Sequence, residues 1–137
     1  MKKFLTLSIA ALLLFAVAIS VGADNHEITP YYNNTVSADV SFGIDEIGNA
    51  AVSFTCIGYR GITSQIEVES TIQKQESSNW SDLEGANWLD ESSLYYCSSS
   101  HTYQVDERGT YKAIVTFTVY GSGGATDVIT KEIEAIF

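Results

Sequence analysis

The sequence predicts an all-β domain, an antiparallel two-sheet sandwich of about seven strands, and three observations carry that expectation. Beyond residue 30, apolar and polar side chains alternate in run after run. Clusters of Gly, Asn, Asp and Ser separate those runs about every ten residues. No stretch in this region holds helical spacing longer than alternating spacing, and the one proline, Pro30, stands ahead of the first run.

Val36, Ala38, Val40, Phe42 and Ile44 alternate with Ser37, Asp39, Ser41 and Gly43, which gives a first strand with one buried and one wet face. Asp45-Glu46-Ile47-Gly48-Asn49 supplies a turn. Ala50, Val52, Phe54 and Cys56 then point one way while Ala51, Ser53 and Thr55 point the other. After a loop over Gly58 to Ser64, a third strand turns Ile66, Val68, Ser70 and Ile72 inward and Glu67, Glu69, Thr71 and Gln73 outward. Trp80 to Trp88 keeps no clean period and is interrupted by Gly85-Ala86-Asn87, so a short edge strand and a turn are expected, with both tryptophans in the core. Ser93 to Val105 reads as a strand with Tyr95, Cys97, Tyr103 and Val105 on one face, bent or bulged at Ser98-Ser99-Ser100. Tyr111, Ala113, Val115, Phe117 and Val119 make the clearest strand, Gly121-Ser122-Gly123-Gly124 turns the chain, and Val128 to Ile136 closes the sheet.

Ahead of these strands, Lys2 and Lys3, an apolar stretch from Phe4 to Val21 and the small residues Gly22 and Ala23 have the layout of a secretion signal cleaved after Ala23. The expected organisation is a signal peptide over 1–23, a lead segment over 24–35 and one sandwich domain over 36–137. Cleavage would leave 114 residues, enough for a single core burying about 65% of the unfolded surface. The product would be secreted, with no membrane anchor after cleavage. It would keep five basic residues against 17 acidic ones, a formal charge of −12. That balance argues against nucleic acid and anionic lipid, and leaves cationic ligands, basic partners or plain solubility as its consequences.

Two segments resemble the immunoglobulin pattern. Val52-Ser53-Phe54-Thr55-Cys56 resembles its second strand, and Glu107-Arg108-Gly109-Thr110-Tyr111-Lys112-Ala113 resembles the entry to its sixth. The likeness makes Tyr111 the corner tyrosine, whose hydroxyl ties the strand entrance to nearby backbone. Ala113 stands where that family places its second cysteine, so the usual bond between sheets is missing. The chain is also similar to small secreted sandwich proteins of Gram-positive bacteria, Firmicutes especially, most without an assigned function. Thr71-Ile72-Gln73-Lys74, Trp80, Leu83, Trp88, Tyr103-Gln104-Val105 and Gly109-Thr110-Tyr111-Lys112 carry that likeness. In such a bacterium the glycosylation triplets Asn33-Asn34-Thr35 and Asn79-Trp80-Ser81 would be inert.

Cys56 and Cys97 are the only two cysteines. An immunoglobulin-like order sets the fifth strand beside the second, which implies a disulfide within one sheet worth about 4 kcal/mol in chain entropy. Two buried free thiols are the alternative. Cys97 and His101 share a strand face and could form a thiolate pair, but no orienting third residue accompanies them. Glu67 with Glu69, and Glu132 with Glu134, could supply hydrolytic carboxylates. The same residues, or Asp45 and Glu46 in the first turn, could bind calcium, but no Asp-rich loop of ligand spacing is present, solvated faces explain them better, and no cofactor is implied. Tyr31, Tyr32 and Tyr96 are the aromatic residues placed to contact a ligand. The expected function is a non-enzymatic extracellular binding module for a protein, peptide or glycan. A small secreted hydrolase and a structural surface component are its rivals.

Overall fold

The computed structural model describes residues 31–137, and the expected signal peptide lies outside them. Seven antiparallel strands follow in chain order: β1 (Thr35–Ile44), β2 (Asn49–Gly58), β3 (Thr63–Glu76), β4 (Asn79–Ser92), β5 (Tyr96–Gln104), β6 (Thr110–Gly121) and β7 (Asp127–Ile136). They form one sheet in the order β1-β2-β5 and a second in the order β4-β3-β6-β7. The pairing of β2 with β5, of β3 with β6 and of β6 with β7 is the immunoglobulin-like arrangement, with β4 on the sheet of β3.

Alternation builds the core as expected. Val52, Phe54 and Cys56 from β2 face Ile66 and Val68 from β3 and Ala113, Val115, Phe117 and Val119 from β6. Phe54 and Phe117 meet edge to face at 5.9 Å across the two layers. A second cluster of Ala50, Ile72, Ala86, Val105 and Tyr111 fills the end where β1 turns into β2.

Three segments depart from the sequence expectation. The bend expected at Ser98 to Ser100 is absent, because β5 keeps unbroken register with β2 from Tyr96 to Gln104; the other two departures each come from a bulge. Val36 is 55% exposed rather than buried, because Thr35 pairs with Gly58 and Ser37 with Ile57, which leaves Val36 as the extra residue. The segment read as a short strand and turn is instead one 14-residue edge strand. Between the Thr71–Asn87 and Gln73–Asp82 rungs, Leu83 to Ala86 stand opposite Ile72 alone. Gly85 takes φ +79°, a region costly for any residue with a Cβ, and so lets Ala86 drop into the core. The bulge changes which parity faces inward, which is why the period was unreadable. It also separates the tryptophans: Trp88 packs against the core, whereas Trp80 pairs with Gln75 and lies under the Lys112 ammonium at 4.5 Å.

Candidate functional site

The end of the sandwich where β1 starts and β2 stops is fastened by a buried carboxylate. Asp127, at the head of β7, accepts hydrogen bonds from the Asn33 N–H at 2.9 Å, the Asn34 N–H at 2.7 Å and the Thr35 hydroxyl at 2.8 Å. Burial alone would raise its pKa, but these donors outweigh burial and hold the carboxyl below the ordinary Asp value. Asn34, itself fully buried, donates to the Ala125 carbonyl and accepts from the Gly123 N–H. A Cβ on Gly123 would sit 2.1 Å from the Asn33 carbonyl oxygen, so the β6–β7 turn closes over Asn33 only because that residue is glycine. The chain is thus joined to the sandwich from Asn33 onward.

This clamp fixes the base of an exposed apolar surface. Tyr31, Val36, Ile57, Tyr59, Ile62, Leu94 and Tyr96 lie at this end, and they are seven of the eleven exposed large apolar side chains among the described residues. Tyr96 faces Ile57 directly across β2 and β5. Tyr95 and Tyr96 meet edge to face at 5.5 Å, and the Arg60 guanidinium lies 5.5 Å from the Tyr95 ring. Residues 31–34, 57–62, 93–96 and 121–126, which make up this end, contain no Asp or Glu, and Arg60 is their one charge. Residues 31–137 as a whole carry 15 acidic and five basic side chains.

The aromatic residues singled out in the sequence fall here. Tyr31 is 90% exposed and Tyr96 50% exposed, while Tyr32 is half-buried against the core. Tyr59, Arg60, Ile62 and Leu94 are not marked by the alternation of strand faces, because they sit in connections. Their signal was legible as large apolar side chains in turns that should be polar. No protein-family model matches the chain, and no curated protein matches it.

The cysteines correct one expectation and meet another. Cys56 and Cys97 are directly opposite each other within one sheet, as the strand order implied, but the structure holds them as free thiols rather than a disulfide. Gly58 N–H donates to Tyr95 O, and Val105 N–H donates to Gly48 O, each between facing residues of the same register. Even residues of β2 therefore form the hydrogen-bonded pairs with β5, and Cys56–Cys97 is one of them. Facing Cβ atoms are farther apart at such pairs, about 5.5 Å, than the roughly 3.5–4.5 Å a disulfide requires. Burial, helped by the Cys97, Asp127 and Asp39 charges, pushes the Cys56 thiol up to about 12. Burial and the Asp90 carboxylate also raise Cys97.

A raised thiol is a poor nucleophile, and His101 is engaged elsewhere. Its ring stacks on Trp88 at 4.8 Å, and its Nε2 lies 2.5 Å from Asp90 Oδ2, a contact that ties β5 to β4. Ser99 Oγ approaches that same nitrogen at 3.5 Å, whereas serine activation needs the hydroxyl and the carboxylate on different ring nitrogens. Glu67 and Glu69 lie on the outer face of β3 and Glu132 and Glu134 on that of β7, with β6 between them. Glu67 accepts hydrogen bonds from Gln65 and the Tyr120 hydroxyl.

The opposite end is richer in charge, with Asp45, Glu46, Asp106, Glu107 and Arg108 in its connections, although Ile47 and Ile136 are exposed there. Asp45 accepts hydrogen bonds from Ile47 and Asn49 within the β1–β2 turn, and its pKa is lowered chiefly by the Asn49 side chain and backbone. Tyr111 forms the expected corner, its hydroxyl donating to the Glu107 carbonyl at 2.6 Å. Lys74 pairs with the Glu107 carboxylate, and the hydrogen bond between them lowers the Glu107 pKa and raises that of Lys74.

Proposed function

We propose that this chain is a non-enzymatic extracellular recognition module that binds a basic protein through its clamped, tyrosine-rich end. The observation that carries the reading is the segregation of charge and apolar surface. A domain this acidic keeps carboxylates out of four adjoining segments and places Tyr, Ile, Leu and one Arg in three of them. Tyr and Arg dominate binding hot spots because they offer large, rigid contact area with polar tips. A contact zone without carboxylates also avoids desolvating them on binding. The acidic remainder of the domain would steer a cationic partner by its long-range field without entering the contact. Secretion, proposed from the leader and from the likeness to exported Gram-positive sandwiches, would expose this end to such partners.

The test is capture of surface proteins on the immobilised chain, with a Tyr59→Ala/Tyr96→Ala variant and an Asp45→Asn/Glu46→Gln variant in parallel. The reading requires a basic protein to be retained by wild type and by the Asp45/Glu46 variant, to be lost from the tyrosine variant, and to bind faster at low salt. A glycan array that lights up and goes dark in the tyrosine variant would move the assignment to carbohydrate. Capture indifferent to both variants would remove this end from consideration.

A further inference from the structure

Each sheet of a sandwich ends in strands whose outward backbone groups invite another chain, and proteins ordinarily block them with charge, proline or bulges. Three of the four edges here are blocked. β1 carries the Val36 bulge and Asp39 and is tied at its start to β7 through Asp127. β4 carries Asp82, Glu84, Asp90 and Glu91 together with its wide bulge. On β7, Glu132 and Glu134 face outward, and Lys131 pairs with the core residue Val115 yet stays exposed. β5, with the sequence Tyr-Cys-Ser-Ser-Ser-His-Thr-Tyr-Gln, has no Asp, Glu, Lys, Arg or Pro and keeps unbroken register with β2 from Tyr96 to Gln104.

The hydrogen-bond parity shows which backbone groups β5 offers. Its odd-numbered residues bond to β2, so Tyr96, Ser98, Ser100 and Thr102 aim N–H and C=O away from the sheet. The Ser92 hydroxyl donates to the Tyr96 carbonyl at 2.7 Å. Among the described residues, nothing takes the outward groups of Ser98, Ser100 and Thr102.

We propose that this edge pairs with the β5 edge of a second copy of the chain, antiparallel about a two-fold axis at Ser100, merging two three-stranded sheets into one of six. The arrangement is self-complementary. Ser100 faces its own copy and Ser98 faces Thr102 of the other chain, which satisfies the open groups with about six backbone hydrogen bonds. Charge selects the same partner edge. Two copies of so acidic a chain repel, and β5 is the edge along which they approach without setting one strand's carboxylates against the other's. Because the strands run antiparallel, the two tyrosine-rich ends would point in opposite directions. The inference stands whether or not those ends bind a partner.

Sedimentation velocity over a concentration series, paired with hydrogen exchange of the β5 amides, tests it. Wild type should form a reversible dimer in which the Ser98, Ser100 and Thr102 amides are protected. Ser100→Pro removes an outward N–H while leaving the β2 ladder intact, and Ser100→Lys sets two ammonium groups at the axis. Each should weaken dimerisation at least about tenfold, roughly 1.4 kcal/mol, with an unchanged far-ultraviolet spectrum. If the proline variant fails to fold, the lysine variant decides. A wild-type monomer at every concentration, or a dimer that both variants leave intact, overturns the proposal. So does a monomer whose β5 amides are already protected, since a bound peptide or the chain's own leading segment would then hold the edge.

Discussion

The two ends of this sandwich are held by the same kind of bond yet present opposite surfaces. At one end a buried carboxylate gathers three donors from the entering chain; at the other the Tyr111 hydroxyl donates to a backbone carbonyl four residues upstream. Above the Asp127 clamp the connections carry no carboxylate and one charge, Arg60, whereas above the tyrosine corner they carry Asp45, Glu46, Asp106 and Glu107 with Arg108. The corner end has the surface of a connection that need only stay soluble. Apart from Tyr32, which packs on the core, these apolar side chains leave much of their surface in water at a cost in solubility, and a contact elsewhere gives a reason for them.

The largest effect expected from that contrast is chemical. Cys56 and Cys97 sit one rung behind the Ile57–Tyr96 pair, and a rigid tyrosine-rich end keeps them sealed. A thiol pushed up to about 12 from a usual 9.0 has about a thousandfold less thiolate at mildly alkaline pH. The higher nucleophilicity of such a thiolate offsets part of this, so iodoacetamide should label Cys56 in the folded protein at least about tenfold more slowly than in denaturant. Two thiols should react in the unfolded chain without any reductant. Rapid labelling of the folded protein would mean that this end opens, and the contrast of two fixed ends would fail.

The clamp comes next. Asp127→Ala leaves two backbone N–H groups and a hydroxyl without their acceptor, and should cost about 3 kcal/mol in urea unfolding. Loss of amide protection should begin at residues 33–36, while the β1–β2 turn stays protected. The pH dependence follows from the lowered folded pKa. The carboxylate's contribution is complete above the unfolded value of 3.8 and is lost as pH falls from there through the folded value. Asp127→Asn should flatten the stability curve in that acid window. Equal acid sensitivity in wild type and variant would show that the clamp is not held by charge.

Smaller in energy, and more telling for function, are changes to the surface above the clamp. Tyr59→Ala and Tyr96→Ala should each weaken partner binding by about ten- to a hundredfold while moving unfolding stability by less than about 0.5 kcal/mol. Isothermal titration against the captured partner, with urea unfolding alongside, separates the two. Stability falling in step with affinity would make these tyrosines packing residues and erase the difference between the ends.

How far the sequence showed all this depended on whether a feature was local. The strand faces of β2, β3 and β6 were plain because period-two alternation is set residue by residue. Tyr111 was legible through the likeness of residues 107–113 to the immunoglobulin sixth-strand entry, a motif short enough that its hydroxyl bonds only four residues back. Val36 and Trp80 were misread because a bulge shifts the facing of its neighbours, and nothing within β4 announces that Leu83 to Ala86 will oppose Ile72 alone. The cysteine pairing was half legible. Strand order placed Cys56 beside Cys97, but the parity that keeps them as thiols depends on which β2 residues bond to β1 and which to β5. The surface itself emerges only when four connections, drawn from residues 31 to 126, are brought together by the fold.

The smallest expected effect sharpens the comparison from the corner side. Tyr111→Phe keeps the buried ring and removes one hydroxyl, whose bond to the Glu107 carbonyl should be worth about 1 kcal/mol. Burial also raises the Tyr111 pKa, so the hydroxyl stays a donor through the neutral range and the loss should not vary with pH there. A fall in melting temperature with unchanged partner affinity would assign the corner to fold maintenance alone. Weakened binding from so small a change at the far end would require the two ends to be coupled through β5 and β6, whose strands run from one to the other.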